Sequence, residues 1–196
     1  MENRERFTEA IRLIDEANAA DPRVSEVDGR SVPEEVLYAE RMTARMERYA
    51  PDAPELVRLA ARCQHICRWE IPRDRYPKNR AGYHQWRNAL KVFHGEKAGE
   101  LMERAGYSGQ DIDRVAYLLS KAGLKTDADS KLLEDVVCLV FLEHYFDDFS
   151  RKHDEAKLIG IVQKTWAKMT PRAHEVALAE ISYSPEEKAL IEKALA

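Results

Sequence analysis

The chain has 196 residues, 34% of them charged, and a formal net charge of -4. That length suits one domain with a sizeable core, because chains of this size hide roughly 70% of their unfolded surface. The slightly acidic balance excludes a general nucleic-acid binder, which would carry a strongly basic face.

Three cysteines, Cys63, Cys67 and Cys138, give an odd count without the spacing of a disulfide framework, and they are expected as buried thiols. The N-terminal segment MENRERFTEAIRLIDEAN is charged and amphipathic and lacks the apolar centre of a signal peptide. The longest apolar run, Val136 to Leu142, is far too short to span a bilayer. These features predict a cytoplasmic protein with reduced thiols and no membrane partner.

Apolar residues recur at three- and four-residue spacing along most of the chain, which is the helical period. Phe7, Ile11, Leu13 and Ile14 mark a first helix over 3–19. Residues 20–32 read as a loop. Ser31 with Pro33 reads as the start of a second helix, closed by Pro51. A third helix is expected from Pro54 to Trp69, followed by an irregular basic connector, IPRDRYPKNR, at 71–80. A long helix then runs from Ala81 to Ala105 and stops at Gly106. Ser108 caps a fifth helix reaching Lys121. The most apolar helix, from Ser130 to Phe149, should be central. Three more are expected over 154–168, 171–181 and 185–195. No strand alternation stands out. The expected fold is all-α, a bundle of eight or nine helices in a single domain over 1–196, with a C-terminal helical extension at 154–195.

Three polar clusters interrupt these apolar helices. The first is Gln64-His65, followed by Arg68 and Arg73, at the end of the apolar run Leu56-Val57-Leu59-Ala60-Ala61. Buried polar groups cost free energy unless paired, so their density here marks a site. The second is Arg80, Tyr83, His84, Trp86, Arg87, Lys91 and His94. Tyr83, Arg87, Lys91 and His94 fall along one helical stripe, and two cations with an imidazole suit a phosphate or carboxylate. The third is Glu134-Asp135 at the start of the most apolar helix. The helix dipole accounts for one N-terminal carboxylate; two of them should need a cation, either a metal or an Arg or Lys. No glycine-rich phosphate loop, Gly-x-Ser-x-Gly elbow or His-Glu-x-x-His pair is present, so no nucleotide or flavin cofactor is expected.

The order of Leu59-Ala60-Ala61-Arg62-Cys63-Gln64-His65-Ile66, of His94-Gly95-Glu96-Lys97-Ala98-Gly99-Glu100-Leu101-Met102, and of Leu133-Glu134-Asp135-Val136 resembles the HD-domain superfamily over roughly residues 33–150. That resemblance implies an HD-like helical bundle and a metal held by histidines and a late aspartate. Tyr38 stands where the first histidine would fall, and Gln64-His65 replaces His-Asp. The resemblance therefore implies a single divalent ion on His65, His94 and Glu134 or Asp135, with a metal-free pocket as the rival. The segments QHICRWEIPR at 64–73, YHQWRNALKVFH at 83–94, LEDVVCLVFLEHYF at 133–146 and KTWAKM at 164–169 resemble more closely an uncharacterised family, domain of unknown function 4202. That family brings no established reaction.

The leading expectation is a metal-dependent phosphohydrolase acting on a small phosphorylated or nucleotide-like substrate. Gln64, His65, Glu134 and Asp135 would handle protons or metal, and Arg68, Arg73, Arg80, Tyr83, Arg87 and Lys91 would hold the anion. Its rivals are a non-catalytic sensor of an anionic metabolite, an HD-type iron oxygenase, and an interaction protein with structural polar clusters. A homodimer remains open.

Overall fold

A computed structural model describes residues 3–196. Among the described residues it contains ten α-helices, one two-stranded hairpin and two short 3-10 turns, an all-α fold. The chain divides into two compact units, Met1–Ser130 and Lys131–Ala196. No helix of the described residues is long and apolar enough to cross a membrane.

The first unit begins with α1 (Asn3–Asn18). Residues 20–32, expected as a loop, instead carry a hairpin of β1 (Val24–Val27) and β2 (Arg30–Pro33), paired antiparallel from Val24↔Pro33 to Val27↔Arg30. The turn is Asp28-Gly29, with φ of 51° and 74°. Positive φ at both central residues is what a type I′ turn requires, and Asp-Gly supplies it. Ser31 therefore lies in a strand and caps nothing. Helix α2 (Glu34–Tyr49) follows Pro33 directly, without a side-chain cap.

The third helix is shorter than expected. α3 (Glu55–Arg62) ends seven residues before Trp69, and Cys67 adopts a left-handed backbone at φ 50°. Neither glycine nor proline marks this stop. Beyond it, Asn18 Oδ1 at the end of α1 accepts a hydrogen bond from Cys67 N at 3.0 Å and holds the left-handed turn. The chain then makes 3-10 turns at Arg68–Glu70 and Arg73–Arg75 and enters α4 (Arg80–Arg104), capped by Asn79 accepting from Gly82 N at 2.8 Å. Gly106, at φ 89°, ends that segment as expected, with Tyr107 N donating to Met102 O. α5 (Gly109–Ser120) opens with a capping box of Ser108 and Asp111.

Helix α4 packs chiefly on α5, α3 on both α2 and α5, and α1 on α2, α3 and α4. Leu13, Ile14, Met42, Met46, Leu59, Ile66, Leu90, Met102 and Leu118 form the core of this unit. A cleft of about 180 Å³ lined by Phe7, Ile11, Thr43, Met46, Glu47, Arg58 and Arg62 shares no residue with the polar clusters.

The chain passes into the second unit within α6 (Ala128–His144). The expected single helix to Phe149 is broken at Tyr145, and α7 (Phe146–Ser150) follows. Phe141 meets Phe146 and Phe149 edge-on at 6.0 and 5.9 Å, which covers that break with aromatic packing. α8 (Glu155–Trp166), α9 (Pro171–Glu180) and α10 (Pro185–Leu195) complete the unit, with α8 packed on α10. Val136, Leu139, Val140 and Leu142 of α6 are buried, as the apolar run predicted.

Candidate functional site

His65 is the centre of the polar cluster in the first unit. It sits in the turn between α3 and the first 3-10 segment, with a quarter of its side chain exposed. Its ring stacks on Tyr38 of α2, centroids 3.8 Å apart and planes 14° apart. Nδ1 lies 3.5 Å from Glu35 Oε2, and Nε2 lies 2.5 Å from Arg68 Nη1. A guanidinium can only donate, so Nε2 holds the lone pair and Nδ1 carries the hydrogen.

Glu35 was not among the residues singled out by sequence. The hairpin puts it in place. Arg23, just before β1, donates to Asp21 Oδ2 at 2.8 Å and to Glu35 Oε1 at 2.7 Å. Asp21 also accepts from Glu35 N at 3.2 Å. Burial raises the Glu35 carboxyl to about 7, against the pull of Arg23 and Arg68. Glu35 thus exchanges a proton near neutrality.

Arg68 is largely inside the protein. Its guanidinium carbon lies 4.9 Å from the Trp86 ring centre, and Trp86 Nε1 donates to Ile71 O at 2.8 Å. Trp86 thereby ties the basic connector to α4. Burial and the charge of Arg87 push the Arg68 guanidinium below its ordinary value. Among the described residues, neither Arg68 nor Arg87 makes a close ion pair with a carboxylate, although Glu35 attracts Arg68 from further off.

His94, on α4, is buried with Nδ1 donating to Ile66 O at 2.9 Å, 6.3 Å from the His65 ring. Burial and Arg68 lower it to about 3, and burial with Arg68 holds His65 well below its usual value. Both imidazoles are neutral at pH 7. Gln64 is buried, and among the described residues its amide nitrogen has no hydrogen-bond partner.

The other residues of the basic stripe divide by exposure. Arg87 and Lys91 are half-buried, Tyr83 is 46% exposed, and Arg80 is exposed at the start of α4. Arg73 is committed to the connector: Nη1 donates to Tyr76 O at 2.9 Å and Nη2 to Pro77 O at 2.8 Å. The structure brings Tyr38, His65, Arg68, Trp86, Arg87 and His94 into one cluster with Glu35. It leaves Arg73 and Arg80 on the connector and the helix start.

Glu134 and Asp135 belong to the second unit. Both are buried. Glu134 Oε1 lies 3.3 Å from Lys168 Nζ, so a lysine of the KTWAKM segment is a cation beside the acidic pair. Asp135 accepts from Thr170 N at 2.8 Å and from Thr170 Oγ1 at 2.6 Å, and Thr170 in turn caps α9.

The donors of the first unit do not fit a metal ion as arranged. His65 Nε2, the nitrogen a metal would take, already faces a guanidinium. Among the described residues, no three His, Cys, Asp or Glu groups form a metal-binding set. Chemically, the cluster can hold an anion against two guanidinium groups and can exchange a proton through the His65–Glu35 pair.

No curated protein matches this chain, and no solved structure does. Residues 8–191 match the family described as Domain of unknown function (DUF4202). That match spans nearly the whole chain, and the chain belongs to this family of unknown function.

Proposed function

We propose that the first unit binds a small phosphorylated molecule through Arg68 and Arg87. One observation carries this reading: a largely buried arginine lies close to a second arginine, and among the described residues neither makes a close ion pair with a carboxylate, Glu35 attracting Arg68 only from further off. Burying a charge without a close counter-ion costs several kcal/mol, and a like charge nearby adds to that cost. A phosphate dianion reverses both effects. It accepts the paired N–H groups of a guanidinium in a bidentate contact, which the flat support of Trp86 holds in a fixed plane.

The sensor and phosphohydrolase readings share this site and part at turnover. Hydrolysis needs a group to accept the proton of an attacking water, and His65 is the neutral imidazole beside the arginines. A metal-assisted route requires Arg68 to leave His65 first. Binding is tested by thermal unfolding in inorganic phosphate with potassium chloride as the ionic-strength control. A ligand at a hundred times its Kd stabilises by about 2.7 kcal/mol, and Arg87→Gln should cut that gain to about 1.4 kcal/mol or less. No stabilisation by inorganic phosphate or para-nitrophenyl phosphate at about 100 mM, roughly a hundredfold above a millimolar Kd, would overturn the reading. Turnover of para-nitrophenyl phosphate, with and without Mn²⁺, separates the hydrolase from the sensor.

A further inference from the structure

Holding an anion does not require the way His65 is held. A ring that only packs needs no fixed tautomer, yet His65 has a partner on each nitrogen and a stacked ring on one face. The carboxylate is behind Nδ1, and Glu35 is itself fixed by Arg23 and Asp21. A carboxylate behind the protonated nitrogen orients an imidazole whose other nitrogen accepts a proton. Here that accepting lone pair is covered by a cation. The covering group, Arg68, is also the group that the anion-binding reading assigns to the ligand.

We propose that Arg68 is a removable cover: an anion that takes its guanidinium uncovers His65 Nε2, which then accepts a proton, with Glu35 as the positioning residue behind it. The proposal rests on the anion-binding reading. The proton comes from solvent hydronium or from bound dihydrogen phosphate, which is left as the dianion; that O–H bond breaks as the Nε2–H bond forms, and no P–O bond breaks.

The charges around the ring favour this coupling. Glu35 faces it from α2, Arg68 from the 3-10 turn, Arg87 and His94 from α4, and Lys121 from the end of α5. Tyr38 covers one face. In the free protein, burial and the cations Arg68, Arg87 and Lys121 all oppose a positive charge on His65. A bound dianion offsets that field and draws the nearest cation away from Nε2. Both changes act in one direction, so anion binding and protonation of His65 reinforce each other.

The test is nitrogen-detected NMR of the full chain labelled at histidine, titrated from pH 5 to 8. In the free protein His65 stays neutral, with its hydrogen on Nδ1. With saturating inorganic phosphate a titration midpoint of His65 enters this window. In Arg68→Gln without phosphate the midpoint also rises, and in Arg68→Gln with Glu35→Gln it falls back. Unmoved signals from His84, His144, His153 and His174 show that the variants keep the fold. Phosphate binding without a change at His65 overturns this inference and leaves the anion site standing. Absence of phosphate binding overturns both. A His65 that stays neutral from pH 5 to 8 in phosphate-free Arg68→Gln overturns the covering role.

Discussion

Asp135 accepts two hydrogen bonds from Thr170, one from the backbone nitrogen at 2.8 Å and one from the hydroxyl at 2.6 Å. Thr170 Oγ1 then accepts from Ala173 N, so a carboxylate on α6 fixes the first turn of α9. Charge-assisted bonds of this kind are worth about 1.5–3 kcal/mol each. Asp135→Ala should lose about 3 kcal/mol in urea unfolding, and Asp135→Asn, which keeps one acceptor, about half of that. Phosphate affinity of the asparagine variant tells a structural carboxylate from a ligand-handling one. A loss under about 0.5 kcal/mol for alanine would remove Asp135 from the support of α9.

Arg87 and Arg68 set stability against binding. Arg87→Gln relieves a like charge near a buried guanidinium and should raise stability in phosphate-free buffer by about 0.5–1 kcal/mol. The same variant should bind phosphate at least about tenfold more weakly, a loss of about 1.4 kcal/mol. Calorimetric binding and thermal unfolding of one preparation check both. A variant that is less stable in phosphate-free buffer would show that Arg87 supports the fold.

The two histidines and Glu35 give opposed pH dependences. His65 and His94 have folded values below the ordinary 6.5, so their contribution to stability is complete above pH 6.5 and is lost as the pH falls, towards about 3 for His94. The Glu35 carboxyl is raised from 4.5 to about 7, so its contribution is complete below pH 4.5 and is lost as the pH rises through about 7. Each proton contributes a slope of at most about 1.4 kcal/mol per pH unit. His94→Gln should flatten the acid limb between pH 6 and 4, and Glu35→Gln should flatten the limb between pH 5 and 8. Urea midpoints across pH 3.5–8.5 measure both; unchanged limbs in the two variants would assign the pH dependence to other groups.

Gly82 has no room for a side chain. A Cβ there would lie 2.2 Å from Pro77 O and 2.9 Å from Pro77 Cβ. Pro77 O is also an acceptor for Arg73, so the connector cannot shift freely away. Gly82→Ala should cost about 2 kcal/mol and disturb Trp86, which hangs from the same connector. Thermal unfolding followed by tryptophan emission reads both effects, and a wild-type midpoint would show that the connector yields.

Most helices were legible because period and caps agree. Ser108 with Asp111, Asn79 before Arg80, and Gly106 act locally, within one turn of the residues they govern. The turn that follows α3 was hidden because the side chain that holds Cys67, Asn18, is 49 residues away. The hairpin carried a local signal, Asp28-Gly29 between valine-bearing segments, that the charged residues around it obscured. In the site, His65, Arg68, Arg87 and His94 stood out as polar groups on apolar helices. Glu35 did not, because an acid in the first turn of a helix already has the helix dipole to account for it. Its hydrogen-bonded link to Arg23 and Asp21 depends on the hairpin. Lys168 was hidden for a similar reason: nothing near it in sequence points to Glu134.

The three cysteines, unbridged and buried, make the chain its own reporter of opening. Burial pushes the Cys63 thiol far up and Cys67 to about 12, so almost no thiolate exists at neutral pH while the fold is closed. An alkylating reagent therefore records only the moments when these positions meet solvent. Cys63 and Cys67 lie in the first unit and Cys138 in the second. Site-resolved alkylation rates would thus time the breathing of each unit separately, in unmodified protein and without an added probe.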